Sequence, residues 1–262
     1  MKKSYYYADP TGNITLLSSL PQDGTDMRNE AAKLMKLEPT AEQVGFLGCS
    51  GPGYELSLQM TGGEFCGNAA LSAAAVFCMN AGKRNDKAET VRVLVSGAAD
   101  PVPIEIRQIG SNAYKGTVSM PVPLDITSVD FRYGEEDFSF PVIRFEGITH
   151  LLSFQPLQRE AAETIVKNQC TRLQADALGI MQIDTDTGTL LPLVYVPKSG
   201  TLFWEGSCAS GTAAAGSFLH SHTGAGKWEF TEPAGRLIIE SSPDGRLLLT
   251  GNVSIKEKEY LS

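Results

Sequence analysis

The sequence predicts an α+β fold made of two pseudo-symmetric halves, each a sheet wrapped around a central helix. Three observations carry this. The segment GGEFCGNAALSAAAVF (62–77) is nearly rewritten half a chain later as FWEGSCASGTAAAGSF (203–218). Both copies run acid, Cys, small polar turn, Ala-rich helix. Short runs of β-branched and alternating apolar residues surround each copy, as strands require. The Ala, Gly and Ser content of the two helical segments suits burial by strands on several sides.

The elements follow in order. SYYYA, NITLLSS, QVGFLGC, YELSLQM, VRVLVSG and VPIEIRQ read as strands of the first half. DMRNEAAKLMKL reads as a helix with Asp26 as its N-cap, and a second helix follows Cys66. In the second half YKGTVSMPVP, VIRFEG, THLLSFQ and LLPLVYV read as strands. REAAETIVKNQC and TRLQADALG read as helical, and Cys208 opens a further helix. The tail GRLIIESSPDGRLLLTGNVSIKEKEYL reads as strands around an Asp244–Gly245 turn. The Pro-containing stretch Met120–Pro123 marks the expected boundary between halves, since such clusters interrupt helix and sheet alike.

Composition narrows the function classes. A chain of 262 residues with 42% hydrophobic and 20% charged residues can build a core. Its net charge of −8 argues against a nucleic-acid partner, which needs clustered Lys and Arg. No apolar run approaches the ~20 residues of a spanning helix. The start MKKSYYYADPTGN has no apolar stretch behind its basic pair, so no signal peptide and no membrane association are expected, and a cytoplasmic location is. The five cysteines, Cys49, Cys66, Cys78, Cys170 and Cys208, are odd in number and scattered, which argues against a disulfide framework. They do not alternate with His150, His220 and His222 at zinc spacing, so no metal is expected, and His220 and His222 read as a solvated helix end. Cys49, Cys78 and Cys170 read as small buried hydrophobes.

Cys66 and Cys208 read differently because the repeat duplicates their surroundings, including an upstream acid (Glu64 and Glu205). A helix N-terminus carries orphan N–H groups and partial positive charge, which bind a carboxylate and lower a thiol pKa. Two such helix starts facing one another would hold an amino-acid carboxylate with a thiol on each side of Cα. One thiolate removes the Cα proton and the opposite thiol returns one, inverting the centre without a cofactor. Preorganised N–H dipoles in a dry site would supply the electrostatic help that so weak a carbon acid demands. A cysteine-protease scheme, with His150 as base, would leave one of the two thiols idle.

With both motifs in view, the chain resembles the diaminopimelate epimerase superfamily. FCGNAA (65–70) resembles its first cysteine motif, SCASGTAAA (207–215) its second, and TGNITLL and EQVGFL its early substrate-contacting segments. The resemblance implies two α+β domains, 1–121 joined by the last strand 252–262, and 122–251, closing over substrate; a homodimer is compatible with such a fold. Gly206 stands where diaminopimelate epimerases carry an Arg for the distal carboxylate. GITHLL keeps His150 but lacks their Asn, and Met60 replaces another Asn, so the distal amino-carboxylate clamp is missing. DPTGNITLL, AEQVGFL, GGEFCGNAALS, THLLSF, LLPLVYVP and LFWEGSCASGTAAAG instead resemble the histidine racemase branch that opens opine-metallophore (staphylopine-type) biosynthesis. That branch implies L- to D-histidine conversion with Cys66 and Cys208 as the base pair and Glu42 and His150 bordering the imidazole. Asn13 and Glu205 would contact substrate, and Gly67, Asn68, Ala209 and Ser210 would offer N–H groups to its carboxylate. Trp204 reads as core packing, and Tyr5, Tyr6 and Tyr7 as ordinary strand residues.

Three rivals remain at this point: a diaminopimelate epimerase or racemase of another amino acid, a phenazine-type isomerase, which would use a carboxylate in place of thiols, and an amino-acid binding protein without catalysis. The two-thiol reading predicts that Cys66→Ser or Cys208→Ser abolishes racemisation in a chiral assay. Full activity in either single variant would sink it.

Overall fold

Period-2 burial builds the strands. The chain is described from a computed structural model covering residues 2–21, 26–82, 87–242 and 245–261. It divides into two units, Met1–Ser119 with Thr250–Ser262, and Met120–Leu249. The first contributes β1 (Lys2–Pro10), β2 (Thr15–Ser19), α1 (Met27–Leu37), β3 (Gln43–Gly48), β4 (Leu56–Met60), α2 (Gly67–Asn80), β5 (Glu89–Val95), β6 (Val102–Gln108) and β7 (Ala113–Met120). The second contributes β8 (Asp125–Tyr133), β9 (Glu136–Phe145), β10 (Ile148–Ser153), α3 (Arg159–Arg172), β11 (Leu178–Asp184), β12 (Thr189–Val196), β13 (Thr201–Trp204), α4 (Ala209–Thr223), β14 (Lys227–Glu232) and β15 (Gly235–Ser241). The last strand, β16 (Leu247–Leu261), begins in the second unit and continues into the first. In β6, Val102, Ile104 and Ile106 are buried while Pro103, Glu105 and Arg107 are exposed.

The first unit closes into a ring in the order β1-β2-β3-β4-β5-β6-β7-β16, with β16 returning antiparallel to β1. Closure leaves no sheet edge exposed. The second unit orders its strands β15-β14-β12-β11-β10-β9-β8, with β13 beside β12. The duplication seen in the sequence recurs in the ladders. β1–β2, β3–β4 and β5–β6 are antiparallel, while β2–β3 and β4–β5 are parallel. Likewise β9–β10, β11–β12 and β14–β15 are antiparallel, while β10–β11 and β12–β14 are parallel. Each parallel pair needs a crossover. The outer helices α1 and α3 provide one in each unit, the inner helices α2 and α4 the other.

The inner helices explain their composition. α2 packs against β1, β2, β4, β5 and β6, and α4 against β9, β10, β11, β14 and β15. Sheet walls lie about 10 Å from what they pack against, so a helix between them must be thin. Ala69, Ala70, Ala73, Ala74, Ala75 and their counterparts Ala213, Ala214 and Ala215 are fully buried. At Gly211 an added Cβ would lie 2.1 Å from Met181 Sδ. The helix therefore depends on having no side chain there.

Several expectations need correction. TRLQADALG is not helical: α3 stops at Arg172, Gln174 takes φ +52°, and Leu178 opens β11. Burial of Leu178, Ile180 and Met181 within the β10–β11–β12 sheet overrides local helix propensity. β8, β13 and β14 were not foreseen, since their patterns are weak and half-polar. Cys49 is exposed rather than buried. Asp26 does cap α1, accepting from Arg28 N at 2.9 Å. Asp244 lies outside the described residues, and Gly245 takes φ +82° beside it.

A buried carboxylate with two exposed lysine partners ties α1 to the first unit's ring. Glu30 accepts from Tyr260 Oη at 2.5 Å, Lys3 Nζ at 3.1 Å and Lys33 Nζ at 3.3 Å. The Tyr260 bond, helped by both lysines and opposed by burial, holds its carboxyl down at about 2, against 4.5 when free. A depressed carboxyl stabilises the fold fully above its free value and loses that effect as pH falls toward the depressed one. Glu30→Gln is expected to destabilise the protein by about 1–3 kcal/mol at neutral pH. The gap in thermal midpoint should narrow as pH falls from about 4.5 toward 2. A gap that is constant with pH would refute the assignment.

Candidate active site

Cys66 is the N-cap of α2, with extended backbone (φ −131°, ψ 113°). Its Sγ accepts from Ala69 N at 3.4 Å, the role an N-cap Ser or Asp oxygen would play. Gln43, the first residue of β3, reaches the same sulfur. Gln43 Nε2 also donates to Asn13 Oδ1 at 2.6 Å and Thr15 Oγ1 at 2.8 Å. Asn13 Nδ2 in turn donates to Glu42 Oε2 at 2.5 Å. A continuous polar chain thus runs Glu42–Asn13–Gln43–Cys66. It is assembled by the parallel β2–β3 pair, where Thr15 is the register partner of Gln43. Asn68, at 2% exposure, has a buried Oδ1 with no partner among the described residues. Gly67 and Asn68 lie in the first turn of α2, where N–H groups have no partner within the helix.

In the second unit Cys208 is the N-cap of α4 (φ −133°, ψ 103°), but its sulfur makes no capping bond. Sγ lies 3.6 Å from Ser210 Oγ and is bonded by the Glu205 side chain. Glu205 is anchored through its N–H to Pro192 O at 3.0 Å. Ser210 Oγ also meets His150 Nε2 at 2.9 Å. His150 sits on β10 opposite Gly179 of β11, where an added Cβ would lie 2.4 Å from its Nδ1. The imidazole fits only because that partner is glycine. The side chain has no exposed surface, and burial lowers its pKa to about 3, so the ring is neutral. Its only side-chain bond among the described residues is the one to Ser210. Ala209 and Ser210 occupy the first turn of α4.

A cavity of about 360 Å³ in this unit is bordered by Arg159, Gln182, Trp204, Glu205 and Gly206. Trp204 packs against the second unit's core, donates Nε1–H to Glu163 at 2.8 Å and carries Arg159 over its ring at 5.1 Å.

The thiols do not behave as helix position alone predicts. Burial pushes Cys66 up to about 11, outweighing the lowering by Ala69 N–H, Gln43 and Asn68 N–H. Cys208 is raised as well, by burial first and then by Glu205 and Glu232. The expected depression is therefore overturned in the unliganded protein. Desolvation disfavours the thiolate more than the orphan N–H groups favour it.

The sequence-predicted residues fall into two groups. Asn13, Glu42, Cys66, Gly67 and Asn68 gather in the first unit, and His150, Glu205, Cys208, Ala209 and Ser210 in the second. Gln43 and Glu232 were missed. Adjacency to Glu42 in EQVGFL was the only signal for Gln43, and nothing local pointed to Glu232. His220 and His222 lie in the exposed last turn of α4, and no group of three or more metal-binding side chains forms among the described residues. No helix among them is long and apolar enough to cross a membrane.

The family model described as the histidine racemase CntK N-terminal domain matches residues 3–258. The chain belongs to the histidine racemase family. A histidine racemase from Fusobacterium nucleatum subsp. nucleatum is 30% identical over 246 residues, covering 89% of this chain and 87% of that protein. One from Staphylococcus aureus is 28% identical over 243 residues, covering 89% and 86%. Among solved structures, a predicted epimerase from Pseudomonas aeruginosa has a TM-score of 0.69 at 13% identity, covering 99% of both chains. A hydroxyproline epimerase from Agrobacterium vitis, with bound trans-4-hydroxy-L-proline, scores 0.67 at 12% identity and covers 98% of this chain and 91% of its own. These two share the fold. As a member of the histidine racemase family the protein is an isomerase, an amino-acid racemase acting on a small-molecule substrate.

Proposed function

We propose that the protein interconverts L- and D-histidine without a cofactor, with Cys66 and Cys208 as paired bases on opposite faces of Cα. One observation carries this reading: each unit begins its buried inner helix with a cysteine as N-cap. The family match adds the side chain to be bound.

In this mechanism the substrate carboxylate lies on the first-turn N–H groups of Gly67, Asn68, Ala209 and Ser210. Those dipoles take up the charge that develops on the carboxylate oxygens when Cα loses its proton. Glu205 and the unpaired Asn68 Oδ1 accept from the ammonium group. Glu42 accepts an imidazole N–H, and His150 supports the site through Ser210. The raised thiol pKa values have a use here. A thiolate whose conjugate acid is weak is a strong base, suited to so weak a carbon acid. Holding Cys66 ionised at pH 7 costs about 5 kcal/mol at its unliganded pKa of about 11. The incoming ammonium group and water exclusion would offset that cost. One thiolate and one thiol then exchange roles in each turnover, so neither direction needs a reset by another protein.

The reading extends to two domains, 1–121 with 252–262 and 122–251, that close over the substrate. It also extends to a homodimer in a reducing cytoplasm, in keeping with five free cysteines, and to supply of D-histidine for an opine-type metallophore. Gly206, in place of an Arg, speaks against diaminopimelate as substrate.

The test is proton NMR in D2O under reducing conditions, with L-histidine and, in parallel, meso- and LL-diaminopimelate. Loss of the Cα–H signal and appearance of D-histidine, with histidine alone, is the expected result. Exchange with diaminopimelate alone would overturn the substrate assignment. Binding of histidine without exchange would overturn the catalytic one.

A further inference from the structure

The two helix starts differ in one respect that the duplication does not predict. In the first unit the Cys66 sulfur caps its own helix. In the second the sulfur makes no capping bond, and Glu232 at the end of β14 braces the helix start: its Oε2 accepts from Cys208 N at 2.7 Å, and its Oε1 lies 2.5 Å from Thr212 Oγ1. After β5, the equivalent strand of the first unit, the corresponding place is held by Ser96, which bonds Met60 N at 3.0 Å and Glu64 O at 2.9 Å. Glu232 is 3% exposed, and Thr212 is fully buried.

Proton counting gives the charge of Glu232. Thr212 has one hydroxyl proton and two oxygen neighbours, Glu232 Oε1 at 2.5 Å and Cys208 O at 2.8 Å. A carboxylate at Glu232 would claim that proton and leave Thr212 Oγ1 against a carbonyl oxygen with no hydrogen between them. A carboxylic acid satisfies both contacts: Glu232 donates to Thr212, and Thr212 donates to Cys208 O. An ion with no cationic partner would also be strongly disfavoured at this burial.

Resting on the proposed two-thiol reading, we infer that Glu232 is a positioning residue, held as a neutral carboxylic acid against the start of α4, whose charge state governs when Cys208 can ionise. It holds the N–H of the N-cap residue itself, while the Cys208 sulfur, which makes no capping bond, lies toward Ser210 and Glu205. Burial raises the Glu232 pKa to about 8, close to working pH. Above that point its negative charge opposes a Cys208 thiolate. Besides Glu232, the titratable groups acting at Cys208 are Glu205, bonded to its sulfur, and the neutral His150, reaching it through Ser210. Among the described residues no acid is bonded to the Cys66 N–H, and Glu64 acts on that thiol through charge alone, so the two thiols are unequal although their motifs are repeats.

Glu232→Gln tests this, because the amide copies the neutral acid. Its oxygen can accept from Cys208 N and its NH2 can donate to Thr212. The measurement is iodoacetamide labelling across a pH series, with Cys66 and Cys208 quantified separately by peptide mass spectrometry. The ionisation midpoint of Cys208 should fall by about one pH unit in the variant, with Cys66 unmoved. An unchanged Cys208 midpoint, or an equal shift at both thiols, overturns the inference. Both readouts are independent of turnover, so they fail separately from the racemase assignment. Carboxyl 13C NMR of the glutamate-labelled native protein needs no variant. One glutamate titrating near pH 8 is expected; all glutamates titrating in the ordinary carboxylate range would overturn it.

Discussion

Everything in this fold that bears on chemistry depends on burying a helix from its first residue. A helix surrounded by strands cannot send its first-turn N–H groups to water. Those groups must find an acceptor in the protein or be kept for a ligand. Small side chains make the burial possible, and the crossovers β4–α2–β5 and β12–α4–β14 fix where each helix begins. A cysteine at that point meets two opposed effects. The helix end favours its anion, and the dry surroundings disfavour it. In the unliganded protein desolvation wins at both cysteines.

That balance suits a racemase. A strongly acidified thiol would be ionised at rest but would be a feeble base toward Cα. In the proposed mechanism a thiol left weakly acidic becomes a capable base when a bound zwitterion brings its own charges into the site. The same mechanism uses the polar chain Glu42–Asn13–Gln43–Cys66 and the path His150–Ser210–Cys208 as rigid supports. Each holds its sulfur from behind with groups fixed on neighbouring strands, where a catalytic geometry is kept most sharply.

How much of this could be read from the sequence varied with the range of the cause. The Cys-headed inner helices were legible because their signal is local and written twice. The cap at Asp26 was legible because its signal, too, is local. β11 was not, because LGIMQID becomes a strand through pairing with β10 and β12, and the preceding TRLQADA has fair helix propensity. Gly179 illustrates the limit: its meaning lies in the imidazole across the ladder, a contact 29 positions back in the chain. Glu232 was invisible for a similar reason, since it follows ordinary strand residues and meets Cys208 only through the fold. The residue types at the site were thus readable, but the asymmetry between its halves was not.

The central claim of the proposed mechanism is that both Cys66 and Cys208 serve one substrate carbon. Mild oxidation in the absence of substrate, followed by peptide mass spectrometry, tests it most directly. The account predicts a disulfide-linked peptide pair containing Cys66 and Cys208, with activity lost in step and restored by reductant. Oxidised, inactive protein without that linked pair would contradict it.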